Sequence, residues 1–134
     1  MIVLDSSFLV AHHNARDAHH RAAAETMERV VAGQWGRALL LEYVLAEVAT
    51  VLLVRRGLDT ASRVVVTLLE SREVDFVPCS DFFTESLETF TRQQAGVLSF
   101  VDAAIVVVAR SSPAAVATFD DGFRRVGGIT VVPG

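Results

Sequence analysis

Four carboxylates stand in apolar surroundings where an ordinary solvated acid is out of place. Asp5 closes the run MIVLD, Glu47 lies inside EYVLAEVATVLL, Asp102 stands near the start of SFVDAAIVVVA, and Asp120 follows the strand-like ATF of VATFDDGF. Desolvating a carboxylate is costly unless something compensates it. One such residue is usually an edge or a hydrogen-bonded oddity; four, each at a strand end or in a helix, point to one shared cation. Hard divalent ions such as Mg²⁺ or Mn²⁺ prefer oxygen ligands and retain several waters, which suits a set without His or Cys. The ordinary roles of each acid weigh against this. Glu47 as a solvent-facing helix residue fits poorly with positions 43–54, where Thr50 is the only other clearly polar side chain. Asp102 also suits a helix N-terminus, where the dipole favours negative charge, and that role is compatible with ligation. Asp121 and Glu42 read as capping or rim residues.

The elements that must carry these acids can be read from composition and periodicity. Residues 1–5 read as a buried strand, with Ser6 and Ser7 able to cap a helix start directly after it. Residues 18–33 have helical spacing and a stop at Gly33. A second strand is expected at 37–41. A helix at 42–56, apolar nearly all round and therefore central and buried, ends at Arg55, Arg56 and Gly57. Asp59 caps a helix to Ser71, a third strand covers 74–78, and Ser80 or Asp81 caps a helix over 82–95 that Gly96 closes. Residues 100–110 form another apolar helix that Pro113 stops. A fourth strand at 115–119, a helical turn at 121–125 and a fifth strand at 129–132 complete the chain. Strands alternating with helices predict an α/β fold with a mainly parallel five-stranded sheet, in a single domain over residues 1–134. Ligands of such sheets bind at the carboxyl ends of the strands, where Asp5 and Asp120 are expected.

The other chemistries open to an aspartate after the first strand lack their partner residues. A phosphatase of the haloacid-dehalogenase type wants a second aspartate where this chain has Ser7. A receiver domain uses a late lysine, and there is no lysine here. A dinucleotide-binding turn needs glycines, and DSSFL has none.

Composition sets the outer bounds. The 134 residues are 51% hydrophobic, as expected for a sheet covered on both faces. No apolar stretch is long enough to span a membrane, no secretory leader is visible, and the single Cys79 excludes an internal disulfide. A reducing cytoplasm is the simplest location. All 12 basic residues are arginine, a bias that genome base composition can produce and that also suits bidentate phosphate contact. The net charge of −4 runs against a nucleic-acid ligand, but the suspected site supplies that many negative charges and two divalent cations would cancel them. The histidine-rich HHNARDAHH reads as a solvated loop beside the site mouth, where His19 or His20 orients the next helix, rather than as a metal site.

Taken in order, LDSSFLVA, VLAE, SFVDAAIVVVA and ATFDDGF resemble the four motifs of the PIN-domain family, and most closely its VapC-type toxins. The resemblance spans essentially the whole chain. It departs from many relatives at Leu41 and Glu42, where a Ser or Thr commonly starts the glutamate-bearing helix. It implies a three-layer α/β/α sandwich and an endoribonuclease dependent on Mg²⁺ or Mn²⁺. The catalytic and metal-binding acids would be Asp5, Glu47, Asp102 and Asp120, with Asp5 and Asp102 holding the principal ion and Ser7 orienting a carboxylate. Arg124 and Arg125 are candidates for phosphate contact. The implied partners are an RNA substrate, a small cognate antitoxin and a second copy of the chain in a homodimer. The alternatives are a housekeeping RNA-processing nuclease of the same fold and a non-catalytic PIN-like module that binds RNA or protein.

Overall fold

The computed structural model describes residues 1–134. β1 (Ile2–Leu4), β2 (Ala38–Leu41), β3 (Val74–Val77), β4 (Ala115–Ala117) and β5 (Val131–Val132) form one sheet in the order β3-β2-β1-β4-β5, with every pair parallel. The central strands are wholly buried and continuously apolar, because helices cover both faces.

Connectivity decides which helices lie on which face. The chain steps from β1 to β2 through α1 (Ser6–His13) and α2 (His20–Val31), and from β2 to β3 through α3 (Glu42–Arg56) and α4 (Leu58–Glu70). It then returns across the sheet to β4 through α5 (Phe83–Arg92) and α6 (Phe100–Ser111). Right-handed crossovers in opposite directions place α1–α4 on one face and α5–α6 on the other, an α/β/α sandwich. Contacts agree: α1 packs on α2 and α3, α3 on α4, α5 on α6, and α6 on β1 and β4. The core runs through both layers, with Phe8, Leu52, Ile105 and Phe123 fully buried. No helix is long and apolar enough to cross a membrane.

Strand order reverses direction between β1 and β4, so their carboxyl ends open the crevice where parallel sheets bind ligands. Pairing of Leu4 with Ala117 and a 3.0 Å bond from the Asp5 N–H to the Ala117 carbonyl bring the two ends level. That register carries Asp5 to within reach of the segment Thr118–Asp120.

Several local expectations need correction. Ser6 and Ser7 cap no helix; Asp5 occupies the cap position of α1, and both hydroxyls reach carboxylates instead. α1 itself takes in His12 and His13, which are half-buried rather than part of a solvated loop, and His12 Nδ1 and His13 Nε2 have no partner. α3 is not buried all round: Val44, Val48 and Leu52 face the core, whereas Leu53 and Val54 are exposed. Gly57, at φ 87°, rather than Asp59, precedes α4. A 3-10 turn at Ser80–Phe82 leads into α5, which ends at Arg92, and neither Ser80 nor Asp81 makes a capping bond.

Candidate active site

Asp5 is the centre of the site and is only 2% exposed. Its Oδ2 accepts hydrogen bonds from Thr118 Oγ1 at 2.6 Å and Ser7 Oγ at 2.9 Å. Ser7 also accepts the Phe119 N–H at 3.0 Å, and Thr118 accepts the Asp120 N–H at 2.9 Å. The turn after β4 is thereby tied to the Asp5 carboxylate by two hydroxyls. Burial pushes the Asp5 carboxyl above its usual range, against the lowering effect of Thr118 and Ser7, and negative Glu47 raises it further.

Glu47 approaches from the second turn of α3. Ser6 Oγ donates to Glu47 Oε1 in a very short contact, with Asp5 Oδ1 at 3.5 Å from the same hydroxyl. A hydroxyl has one proton, and the short contact takes it. Asp5 Oδ1 is therefore left without a close donor.

Asp102 stands at the third position of α6 in a reciprocal cap: its Oδ2 accepts the Ser99 N–H at 2.9 Å while Ser99 Oγ accepts the Asp102 N–H at 3.1 Å. Burial pushes its carboxyl up to about 6, and negative Asp5 and Asp120 add to the effect. Asp120 is exposed, and its Oδ1 accepts the Gly122 N–H at 2.8 Å. A Cβ at Gly122 would lie 3.1 Å from that oxygen and 3.2 Å from the Val97 carbonyl, so glycine permits the close approach. The expectation that Asp121 caps this turn is overturned. Asp120 caps it, and the Asp121 side chain points to solvent 3.8 Å from Arg124.

A common pattern emerges. Each of the four acids gives one oxygen to a fixed donor; the other oxygen has no hydrogen-bond donor in Glu47, Asp102 and Asp120, and in Asp5 only the long contact from Ser6 Oγ at 3.5 Å. None is paired with an arginine; the ion pairs of the chain are Arg21–Glu25, Arg37–Asp75 and Arg124–Asp121. Free carboxylate oxygens with no cationic neighbour are the donor chemistry of a hard divalent ion. The side chains nonetheless stand apart, and no three His, Cys, Asp or Glu residues converge closely enough to hold one ion together.

The remaining expected residues lie further out. Arg124 donates to the Pro133 carbonyl at 2.9 Å. Arg125 lines a cavity of about 580 Å³ with Arg92 and Arg110, which contains none of the four acids. Glu42 accepts the Cys79 N–H at 3.0 Å, tying α3 to the end of β3. Sequence reasoning missed Ser6, Thr118 and Ser99 as positioning residues. Only Ser99 had a readable signal, the S-x-x-D spacing of a capping box.

The PIN domain family model matches residues 2–129. Among solved structures, the chain is similar to Mycobacterium tuberculosis VapC20, a Sarcin-Ricin loop cleaving toxin, at 28% identity over 95% of each chain with a TM-score of 0.82. VapBC2 from Rickettsia felis, solved bound to a DNA fragment from their promoter, is similar at 17% identity over 98% of this chain and 97% of that one, with a TM-score of 0.73. A Pyrobaculum aerophilum protein shares 22% identity over 98% of this chain and 83% of its own, with a TM-score of 0.60. The last two likenesses speak to the fold. Among curated proteins none matches.

Proposed function

This chain belongs to the PIN-domain family, whose members are generally nucleolytic, and from that premise we propose that it is a divalent-metal-dependent endoribonuclease acting as the toxin of a type II toxin–antitoxin pair. The observation that carries this reading is the half-satisfied carboxylate set at the β1/β4 crevice. Four acids are held in fixed orientations, three of them keep one oxygen unused and Asp5 keeps one with only a long contact to Ser6, and no arginine neutralises them.

Asp5 and Asp102 would hold Mg²⁺ or Mn²⁺, and Glu47 and Asp120 would reach it through water, in keeping with the separation of the side chains. Such an ion would supply Lewis-acid chemistry at a phosphodiester, lowering the pKa of a bound water and offsetting charge on the phosphoryl oxygens. The protein's own contribution is orientation. Thr118 and Ser7 orient Asp5, Ser6 orients Glu47, and Ser99 orients Asp102. Arg125, with Arg92 and Arg110, offers cationic contacts for phosphates beyond the reacting one.

The likeness to VapC20, a Sarcin-Ricin loop cleaving toxin, supports an RNA loop as the substrate class. The exposed apolar side chains Leu53 and Val54 on α3, with Leu58, Val66 and Leu69 on α4, support a homodimer or an antitoxin contact on that face.

The test is cleavage of structured RNA by purified protein with Mg²⁺ or Mn²⁺. Cleavage abolished by EDTA and by Asp5→Asn, in a variant that keeps its circular dichroism spectrum, is the expected result. Undiminished cleavage by pure Asp5→Asn protein would overturn the assignment.

A further inference from the structure

Beside the acids lies a second cavity of about 320 Å³, bordered by Ser6, Ser7, Asp17, His19, Arg55 and Phe119, with Val10 and Val51 as its apolar wall. It shares Ser6 and Ser7 with the carboxylate site, so whatever occupies it lies directly next to Asp5 and Glu47. Its size is at the small end of ligand pockets. Its chemistry is not that of a metal site, for it combines a ring stack, one unpaired cation and one half-used carboxylate.

The ring stack is held from both sides. His19 lies on Phe119 with centroids 4.4 Å apart and planes 7° from parallel. Phe119 is fixed by its N–H to Ser7 and stands between Thr118 and Asp120. His19 is fixed by the loop before α2, where its N–H meets Asp17 Oδ1 at 2.8 Å, the Arg16 N–H meets Asn14 Oδ1 at 3.1 Å, and the Asp17 N–H meets the Asn14 carbonyl at 2.9 Å. The imidazole makes no hydrogen bond of its own, and the residue is exposed. An ordered ring that neither fills the core nor serves a bond is a stacking surface held ready.

Arg55 is exposed and has no carboxylate or carbonyl partner. With Glu47 and Val51 it forms an i, i+4, i+8 row along α3, which runs from the acids into this cavity. Asp17 faces the same space with Oδ2 unused. A phosphate is attracted to Arg55 and repelled by Asp17, so the two ends of the cavity have opposite preferences.

We propose that this cavity is a nucleotide subsite, in which an unpaired base adjoining the cleaved bond stacks on the His19–Phe119 pair, its phosphate meets Arg55, and an exocyclic amine on its edge donates to Asp17. Unpaired bases stacked on aromatic or imidazole rings are the usual means of reading single-stranded RNA. The carboxylate favours adenine, cytosine or guanine, each of which carries an exocyclic amine, over uracil, which has none and whose single edge donor, N3–H, stands between two carbonyl oxygens that a carboxylate repels. The subsite rests on the endoribonuclease reading, and the experiment separates the two.

Short single-stranded RNAs, all uridine or with one internal adenosine, cytidine or guanosine, are titrated by fluorescence anisotropy against Asp5→Asn protein, which binds without cutting. The amine-bearing RNAs should bind more tightly than the all-uridine one. His19→Ala should weaken binding about tenfold or more, the usual loss for one stacked base, and His19→Phe should restore it. Arg55→Ala should weaken every RNA alike and flatten the salt dependence by about one charge. Asp17→Asn should erase the discrimination against uridine, because an amide donates as well as accepts. Unchanged binding by His19→Ala, or His19→Phe as weak as His19→Ala, overturns the stacking subsite. All-uridine RNA binding as tightly as the others overturns the base selection. If the parent binds no RNA and wild-type protein cuts none with Mg²⁺ or Mn²⁺, the nuclease reading itself falls.

Discussion

Ser6 and Glu47, 41 residues apart, meet through one hydroxyl proton, and that contact joins the start of α1 to the second turn of α3 across the mouth of the site. The same hydroxyl stands 3.5 Å from Asp5 Oδ1, so Ser6 links both acids and lies nearer to Glu47. Ser6 is 8% exposed and its side chain serves no backbone group. Ser6→Ala should therefore lower kcat/KM about 10–100-fold, the usual cost of losing a partner that orients a ligating group. The fold should be retained. In combination with Glu47→Gln the losses should be less than additive, measured on one RNA substrate; full additivity would mean that the two residues act independently.

Thr118 is 1% exposed and is the closest donor to Asp5. Thr118→Val keeps the shape and removes the hydroxyl, which leaves a buried carboxylate short of a partner and frees the Asp120 N–H. A loss of about 1–3 kcal/mol is expected at neutral pH. Urea unfolding in EDTA measures it. A change below about 0.5 kcal/mol would show that Asp5 gains little from this bond.

The pH dependence of stability has a sign that can be worked out at Asp102. Its carboxyl binds a proton more tightly in the folded chain, at about 6, than in the unfolded chain, near 3.8. Its contribution to stability is thus fully present below the unfolded value and is lost as pH rises through about 6. Asp102→Asn keeps an acceptor for the Ser99 N–H and removes the charge. The variant should exceed the parent at about pH 7 by roughly 1–3 kcal/mol, and the gain should vanish by about pH 4. Comparison with the parent is needed because His13, pushed down to about 4 by burial, works in the opposite sense. Its contribution is present above its ordinary value and is lost as pH falls toward about 4. A gain independent of pH would point to relief of packing rather than of charge.

Asp120 and Asp121 differ in direction: the first caps the turn after β4 and the second points to solvent. Asparagine at position 120 still accepts the Gly122 N–H, so Asp120→Asn should leave stability unchanged while weakening cleavage and raising the Mg²⁺ concentration needed for half-maximal rate. Asp121→Asn should change neither, because its carboxylate has only a long, exposed contact with Arg124. Rate measurements across a Mg²⁺ titration read both, and exchanged phenotypes would assign the fourth motif to the neighbouring residue.

The acids and the sheet were legible because their signals are local. Asp5 and Asp120 end strand-like runs, Glu47 interrupts an apolar helix, and the parallel sheet follows from short apolar strands alternating with helices. The hydroxyls were not legible. Ser6 and Thr118 have partners 41 and 113 residues away, and a serine before a helix looks the same whether it caps or reaches across the crevice. The apolar run of α3 concealed a further distinction. Leu52 and Leu53 are adjacent and equally hydrophobic, yet one is fully buried and the other about half exposed, a difference set by α4 and the sheet rather than by the run itself.

Gly122 has no side chain and contributes only an amide, but the aim of the fourth carboxylate depends on it. An alanine there would press on Asp120 and on the Val97 carbonyl at once, and one of them would have to move. The consequence concerns how the aim of that acid is inherited. A descendant of this chain could keep Asp5, Glu47, Asp102 and Asp120 and still have the last of them re-aimed by one methyl group two residues on. A survey that read only the four acids would not register that change.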